Sequence, residues 1–426
     1  MIDMVVVQIP LSRNIVTVLK SGEEAFTDFK KLNLLGLKVQ ARDCSFSLDG
    51  SSEPSDLSHP YESLPSSFST MACKVHKASH LRPWPYLEIK ASPAKLLQGH
   101  NLFGTTDYRL AINELMSTLI VSLPMLCDNL DMHLAEVSGF DNTFSFRHGG
   151  SIDEGRQFIS HIKQVSNRYL KASSKVDDYE TTAYFDEKSR LMRAKVYLKY
   201  FEFKKIKKSF LQRKEHHNSE YFNTLLPIIT DPRLTEFSEN LIRFEATITK
   251  RKLKLLGVPT LITQFLKYYD NYEKTHGKGS LCRHYWELEF NDLIKALKGK
   301  NMKILTDNEV HNKLKVKFQN VTPKGNITYS KANRVFGFYR RLTGEGWSNV
   351  YSSMSKNTFG RLKFDLLEIG FSIAQLQNLH CDQSNVVSLI KYIEIDFAHQ
   401  TPDWYEEPTS QARKHFNNVE NLRRIA

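Results

Sequence analysis

Apolar and polar residues alternate along most of the first 290 residues, in short segments separated by turn-forming residues. Period-two alternation or a short apolar run predicts a strand. Such segments are 5–9, 38–48, 84–90, 136–147 and 241–249, together with a hairpin whose first strand is 181–185 and whose longer second strand begins at 191. Helical periodicity predicts helices at 107–123, which Pro124 ends, and at 153–170. Strands interleaved with single helices predict an α+β fold built on a mainly antiparallel sheet with flanking helices.

Two stretches depart from this pattern. The Ser- and Pro-rich segment 45–69 predicts a loop. Beyond about residue 290 the chain becomes helical and basic, and no repeat relates it to the first part. We therefore expect two domains, a first domain at 1–295 and a basic helical domain at 302–426.

The second domain has the pattern of a helix-turn-helix. One helix is predicted at 332–342, after which glycines break the pattern. Ser355 is a suitable N-cap for a helix at 356–369, and Gly370 is its natural stop. The residues predicted to reach phosphates and base edges are Lys356, Asn357, Arg361 and Lys363 on this helix, with Arg340 and Arg341 on the preceding one. The alternative is an ordinary amphipathic core helix.

Charge narrows the class of partner. The 59 Lys and Arg against 47 Asp and Glu leave a net charge of +12, which favours a polyanion such as nucleic acid. An anionic membrane is the rival, but no strongly basic amphipathic helix with an aromatic face occurs in the sequence. The apolar stretch at 115–126 is too short to span a bilayer, and the N-terminus lacks signal-peptide features. Five scattered cysteines favour a reducing cytoplasm over disulfides or a zinc ribbon.

Several catalytic motifs are absent. The segment Gly99-His-Asn-Leu-Phe-Gly104-Thr has two glycines at P-loop spacing but lacks the phosphate-binding lysine. The sequence contains no HExxH, no GxSxG, no dinucleotide fingerprint and no His-apolar-His pair. If the protein cuts DNA with the help of a metal, carboxylates must therefore provide most of the ligands.

Tyr197 is the candidate nucleophile. In the segment RAKVYLKYFEF, a strand would place Lys195, Tyr197 and Lys199 on one face. Two neighbouring ammonium groups should favour the phenolate, and a phenolate can cut DNA and conserve the bond as a phosphotyrosine. The alternative is a solvated Lys-Tyr-Lys face. A basic run follows, and DNA contact is predicted for Lys204, Lys205, Lys207 and Lys208.

Three carboxylates occupy strand positions with an apolar opposite face. They are Asp141 in GFDNTFSFR, Glu245 in IRFEATITK and Glu88 in YLEIK. Carboxylates from several strands could hold Mg²⁺ or Mn²⁺, which prefer hard oxygen ligands and polarise a scissile phosphate. Taken singly, each is more typical of a solvent-facing salt bridge. His100, in the glycine-flanked loop, is a weaker candidate ligand.

Long segments of the chain match a known family. These are MIDM at residue 1, SHPYESLP at 58–65, EIKASPAKLLQGHNLFGTTD at 88–107, DNTFS at 141, YLK at 197, RFEA at 243, KANRVFGFYRRL at 331 and TPDWYEEP at 401. Along nearly its whole length the chain resembles the gene II proteins of filamentous bacteriophages (inoviruses), the replication-associated endonucleases.

The resemblance implies a specific activity. Members of this family nick the viral plus strand of the double-stranded replicative form at the phage origin, leave a 3′-hydroxyl primer, and later cut and reseal the displaced strand into a circle. The covalent tyrosine of the family falls on Tyr197, with Lys199 as a nearby cation. Expected partners are origin DNA, the host replicative helicase and polymerase, and other copies of the protein on the origin. The expected location is the host bacterial cytoplasm.

Two alternatives and two details stay open at this point. The protein could bind the origin and recruit the host machinery without cutting, or it could hydrolyse DNA without a covalent link. A shorter internal product would begin at Met302, near the expected domain boundary. Tyr200 follows Tyr197 by three residues; on a strand the two would point to opposite faces, whereas on a helix they would be neighbours. The alternation favours the strand and hence a single catalytic tyrosine.

Overall fold

A computed structural model describes residues 1–18, 25–46, 52–66, 68–80, 82–148, 152–164, 181–216, 220–298, 307–321, 323, 325–371, 373–377, 379–380 and 395–410. The strands are β1 Ile2–Pro10, β2 Val16–Val18, β3 Ala25–Thr27, β4 Gln40–Phe46, β5 Ser52–Ser58, β6 Glu62–Pro65, β7 Thr70–His76, β8 Tyr86–Ala91, β9 Glu136–Arg147, β10 Thr182–Phe185, β11 Met192–Leu198, β12 Leu241–Thr249, β13 Asn320–Val321 and β14 Ile327–Thr328. Met302 and the predicted helical residues 165–170 lie outside the described residues.

Helices surround these strands. They are α1 Phe29–Leu34, α2 Pro93–Gln98, α3 Tyr108–Ser122, α4 Pro124–Cys127, α5 Ile152–Gln164, α6 Lys199–His216, α7 Glu220–Thr230, α8 Pro232–Ser238, α9 Lys250–Leu255, α10 Ile262–His276, α11 Ser280–Lys298, α12 Asp307–Lys317, α13 Ser330–Glu345, α14 Trp347–Ser352, α15 Lys356–Glu368 and α16 Ile373–Gln377. No described helix is long and apolar enough to cross a membrane.

Eight strands form one antiparallel sheet in the order β10-β11-β12-β9-β1-β8-β7-β6. The apolar side chains of its strands lie on one face, where α3, α5, α10 and α11 contribute to the same buried cluster. Trp286 of α11 is fully buried there, and its indole N–H donates to the Phe244 carbonyl of β12. The predicted α+β class with a mainly antiparallel sheet is confirmed.

Local sequence signals explain several boundaries. The Asp107 carboxylate accepts hydrogen bonds from the first backbone N–H groups of α3, and Pro124 opens a separate helix directly after α3. The predicted strands at 136–147 and 241–249 match β9 and β12 in full. The predicted loop at 45–69 is wrong, because it contains β5 and β6. β6 is the outermost strand of the sheet, and edge strands tolerate Ser and Pro because half of their backbone groups need no partner strand.

Helices α12 to α16 enclose a second apolar cluster, which includes Val335, Phe338, Phe359, Leu362 and Leu366. The Ser355 hydroxyl accepts from the backbone N–H of Thr358 and caps α15, as the sequence predicted. Gly370 has a φ of +103°, the left-handed conformation that a residue following a helix commonly adopts.

The described end of the chain returns to the first domain. We call residues 395–410 the C-terminal strap. Ile395 is buried in the core of the first domain, and the ring of Phe397 packs against Phe144 and Trp286. The strap therefore packs against the core of the first part of the chain, and the expected domains of 1–295 and 302–426 stay a prediction. The strap carries few apolar residues, so its docking could not be recognised from periodicity.

Candidate functional site

The polar face of the large sheet collects the candidate residues in three cross-strand rows. The first row is Tyr197, Arg243 and Ser145; the second is Lys195, Glu245 and Thr143; the third is Arg193, Thr247, Asp141 and Met4. Residues directly opposite each other in an antiparallel pair share a face, so these side chains lie on one surface. Glu245 and Asp141 are diagonal neighbours in this arrangement. The register thus unites residues that are about 100 positions apart in sequence.

Tyr197 lies near the end of β11 and is only 2% exposed. The Lys195 ammonium lies 4.0 Å from the centre of its ring, and that of Lys199 lies 5.7 Å away. Even so, burial, together with the negative charge of Glu245, raises the pKa of Tyr197 well above its usual value. The expectation that flanking lysines ease its ionisation is therefore wrong for this structure, because desolvation outweighs the nearby positive charge.

The predicted strand through residue 203 is also corrected. β11 ends at Leu198, and α6 begins at Lys199, so Lys199 and Tyr200 lie in the first turn of a helix. The apolar positions Phe203 and Phe210 of α6 are buried in a third cluster with α7 and α8. They lie seven residues apart, a helical spacing that the alternation before residue 200 obscured. The argument that excluded Tyr200 by strand geometry therefore does not hold; the single catalytic tyrosine remains a prediction.

Lys199 is fully buried at the start of α6. Its ammonium donates to the Glu202 carboxylate at 2.6 Å and to the Asn101 side-chain oxygen at 3.1 Å. Burial and the positive charge of Arg243 lower the pKa of Lys199 to about 8. Burial opposes ionisation of Glu202, but the adjacent ammonium outweighs it and holds the pKa of Glu202 at about 2.

Arg243 connects the strand that pairs with Tyr197 to the loop between α2 and α3. Its side chain is 1% exposed and donates to the carbonyls of Asn101 and Leu102 and to the Ser145 hydroxyl. Burial lowers the pKa of Arg243, but the neighbouring Tyr197 and the charge of Asp3 outweigh it and raise the pKa. Tyr197 lies directly opposite Arg243 in the β11–β12 pair. The sequence analysis assigned Arg243 no role, because its burial depends on the loop that folds over it.

His100 lies in the same loop and is also buried. Burial, and then the charges of Lys199 and Arg243, lower the pKa of His100 to about 3, so the imidazole is neutral at physiological pH. A neutral imidazole is able to bind a metal, but two neighbouring cations make this position unfavourable for one.

Asp141 and Glu245 are largely buried carboxylates. Burial raises the pKa of both carboxyl groups. The charge of Asp3 raises the pKa of Asp141 further, and the charge of Asp141 raises the pKa of Glu245 further. Ile2 and Met4 of β1 pair with the consecutive β9 residues Asn142 and Asp141, so Asp3 between them is the extra residue of a β-bulge. Sequence reasoning missed Asp3. Its carboxylate accepts from Asn101 at 2.8 Å and from Ser92 at 3.3 Å. Such a concentration of buried negative charge suits a divalent cation with oxygen ligands.

Glu88 does not join this group. It lies opposite Gln8 of β1, four residues along that strand from Met4, which is opposite Asp141. Gln8 donates to its carboxylate at 3.1 Å, and the His76 imidazole, 3.9 Å away, lowers its pKa. Among the described residues, no three His, Cys, Asp or Glu side chains are arranged so that they could hold a metal ion. The expected set of Asp141, Glu245 and Glu88 is therefore not assembled, because Glu88 lies further along the sheet.

The predicted DNA-binding residues lie on two helical surfaces. On α6, Lys204, Lys205 and Lys208 are exposed, whereas Lys207 is half-buried and lies 3.5 Å from the Thr235 hydroxyl. We call helices α12 to α16 the helical unit. In this unit, Lys356, Asn357 and Arg361 are exposed along α15. Arg340 is paired with Asp307, and Arg341 is paired with Glu345 at 2.7 Å.

An antiparallel sheet with a buried tyrosine, buried cations and neighbouring carboxylates on one face has the chemistry of an enzyme that acts on phosphodiesters. The basic surfaces of α6 and α15 suit a nucleic-acid substrate. The chain belongs to the family of phage replication-associated proteins, the gene II proteins. Residues 1–275 match the N-terminal model of this replication-associated protein family, and residues 321–411 match its C-terminal model. This membership confirms the resemblance stated from the sequence.

Individual relatives cover nearly the whole chain. The replication-associated protein of Enterobacteria phage fd is 38% identical over 412 residues, which are 96% of this chain and 99% of the relative. The protein of the same name from Salmonella phage IKe is 38% identical over 414 residues, 96% and 97% of the two chains. A solved rolling circle replication initiator protein from Geobacillus stearothermophilus aligns over 60% of this chain and 76% of its own, at 12% identity. Its TM-score is 0.22, which establishes no shared fold.

Proposed function

We propose that this protein initiates rolling-circle replication of a phage genome by nicking one DNA strand through Tyr197 and later rejoining it. As a member of the replication-associated protein family, it is a site-specific DNA nickase that also joins strands. The observation that carries the assignment to Tyr197 is its place on the sheet. It lies opposite buried Arg243 on the neighbouring strand, close to buried Lys199, and two residues before the basic helix α6.

The reaction is a transesterification. The Tyr197 oxygen attacks the scissile phosphorus, the bond to the 3′-oxygen breaks, and a 5′-phosphotyrosine forms while the 3′-hydroxyl is released as a primer. In the joining step a 3′-hydroxyl attacks the phosphotyrosine, and Tyr197 leaves. The number of phosphodiester bonds is conserved in each step, so sealing requires no ATP, in keeping with the absence of a P-loop.

The buried neighbours of Tyr197 explain how its phenol could react despite its raised pKa. Lys199, with a pKa of about 8, is neutral in about one molecule in ten at pH 7, and in that form it can accept the phenol proton. Once protonated, it is a cation beside the phenolate. Arg243 provides a second, permanently charged donor. Because Tyr197 is 2% exposed, binding of DNA must displace some of the side chains that cover it.

Asp141 and Glu245 are the proposed holders of Mg²⁺ or Mn²⁺. A divalent cation there would polarise the phosphoryl oxygens and offset the negative charge that opposes ionisation of Tyr197. The Asp141→Asn and Glu245→Gln variants should each bind Mn²⁺ at least about tenfold more weakly in a titration without DNA. Glu88→Gln is the matched control and should bind Mn²⁺ like wild type. Equal affinities in all four proteins would exclude this site.

Origin DNA is the proposed substrate, contacted by the basic surfaces of α6 and α15. The released 3′-end would be extended by the host polymerase behind the host helicase, in the host cytoplasm. Several copies of the protein could assemble on the origin. The rival proposal is an origin-binding protein that recruits the same machinery without cutting.

One experiment separates these proposals. Supercoiled plasmid carrying the cognate phage origin, internally labelled with ³²P, is incubated with protein and Mg²⁺ and then denatured. Transesterification predicts open circles, closed relaxed circles and label bound to protein, all absent for Tyr197→Phe. Nicking without bound label indicates a hydrolytic nuclease, and DNA binding without nicking indicates the non-cutting alternative.

A further inference from the structure

The C-terminal strap is attached to the first domain by specific contacts, and these contacts enclose a space. Beyond Thr143 the edge of β9 is no longer paired with β1, and the side-chain amide of Gln400 takes the place of a strand there. Its oxygen accepts from the Ser145 N–H at 2.8 Å, and its nitrogen donates to the Ser145 carbonyl at 2.9 Å. Glu407 accepts from the Thr105 hydroxyl at 2.6 Å and pairs with Lys278 at 3.0 Å.

Between the strap, the loop after α2 and the edge of β9 lies a cavity of about 400 Å³. Ligand pockets for small organic molecules begin at roughly 300 Å³. Its walls combine aromatic rings with polar groups: Phe103, Phe144 and Tyr405 contribute rings, and Thr105 and Lys278 contribute polar atoms. Aromatic rings beside hydrogen-bonding groups suit a nucleobase, which stacks through its faces and is recognised at its edges.

Two observations connect this cavity to a ligand. The Tyr405 hydroxyl is buried and has no hydrogen-bond partner among the described residues, although the side chain lines the cavity. A buried hydroxyl without a partner costs free energy that an acceptor atom of a ligand would recover. Arg243 also lines the cavity and lies directly opposite Tyr197 on the neighbouring strand, so one residue connects the cavity to the proposed nucleophile.

We propose that this cavity binds one unpaired nucleotide of the strand being cut, close to the scissile phosphate. The inference rests on the proposed function, since it takes Tyr197 as the point of cleavage. A base can enter the cavity only when it is unpaired, so the site would select single-stranded or locally opened origin DNA. The strap, which lies far from Tyr197 in sequence, thereby becomes part of substrate recognition.

The test measures binding without cleavage, in Tyr197→Phe protein. Single-stranded oligonucleotides tiled across both strands of the origin carry the fluorescent base 2-aminopurine at one position at a time. Stacking in the cavity should change the fluorescence at least about twofold at one position, or at two adjacent positions. Adding Ala398→Leu, which fills the cavity from its exposed rim, should abolish that change and weaken binding about tenfold. Adding Tyr405→Phe should weaken binding about threefold to tenfold.

His399→Leu is the matched control, because His399 is the exposed neighbour of Ala398 and does not line the cavity. It should retain both the signal and the affinity. Failure to bind any oligonucleotide, binding without a position-specific signal, or a signal that survives Ala398→Leu would each overturn the proposal. The labelled-plasmid experiment tests Tyr197 separately: a position-specific signal without a covalent product would retain the cavity and reject the nucleophile.

Discussion

The polar face of the large sheet and the outer surface of the helical unit differ in the exposure of their charged side chains, which are buried at the sheet and exposed on the helical unit. At the sheet, Arg243 of β12 and Lys199 at the start of α6 are almost inaccessible, and each depends on specific partners. On α15, Lys356 and Arg361 are exposed, and no ion pair joins either to another described residue. Buried charges are sensitive to every neighbour, whereas exposed charges act nearly independently. The first arrangement suits chemistry at one phosphate, and the second suits attraction to many phosphates.

The largest expected effect is at the proposed nucleophile, Tyr197. Tyr197→Phe removes only a hydroxyl and should lower nicking by at least about 10³-fold, because the oxygen proposed to form the covalent intermediate is lost. Affinity for origin DNA should change less than about twofold. Tyr200→Phe, three residues away on α6, is the control and should nick and reseal like wild type. Nicking by Tyr197→Phe, or a failure to reseal by Tyr200→Phe, would move part of the chemistry to Tyr200.

The next effect concerns the buried guanidinium. Arg243→Lys keeps the charge but cannot reach the carbonyls of both Asn101 and Leu102, so the free energy of unfolding should fall by about 2–4 kcal/mol. Nicking should fall about 10²-fold, because the contact with Tyr197 is lost. The control is Arg193→Lys, an exposed residue on β11. Urea denaturation and the nicking assay measure the two effects, and equal results for both variants would remove Arg243 from the site.

Glu202 tests whether the sheet face depends on paired charges. Its folded-state pKa of about 2 lies below its ordinary value, so its contribution to stability is fully present above about pH 4.5 and is lost as the pH falls towards 2. Glu202→Gln should lower the free energy of unfolding by about 1–3 kcal/mol at pH 7, and the difference from wild type should shrink by pH 3. Glu287→Gln breaks an exposed pair with Arg283 and should change stability by less than about 0.5 kcal/mol. A difference that is independent of pH would contradict this interpretation.

The smallest effects are expected on the helical unit. Lys356→Ala should weaken binding to origin DNA about two- to fivefold and reduce the salt dependence of binding by about one counterion. Arg341→Ala should have a smaller effect, because Glu345 already neutralises that guanidinium. Fluorescence anisotropy at several salt concentrations measures both. If Arg341→Ala has the larger effect, the pair opens on DNA; if Lys356→Ala has none, α15 does not contact phosphate.

Local sequence was sufficient for much of the fold. Alternation placed β9 and β12 at their full lengths, and the Ser355 cap and Gly370 set the ends of α15, because these features depend on neighbours in the chain. Alternation also placed Asp141, Glu245 and Tyr197 on polar strand faces. It misjudged the end of β11, since an alternating segment runs directly into a helix without a cap or a break.

Tertiary structure decided the properties of the site. Whether Tyr197 is exposed or buried, and hence whether its pKa falls or rises, depends on how the sheet face is covered, which no local pattern records. The bulge that presents Asp3, the burial of Arg243 under the loop after α2, and the return of the strap all join residues more than 80 positions apart. Sequence determines which side chains are available and their periodicity, because these are local. Desolvation and charge coupling act between distant segments, so only the folded chain sets them.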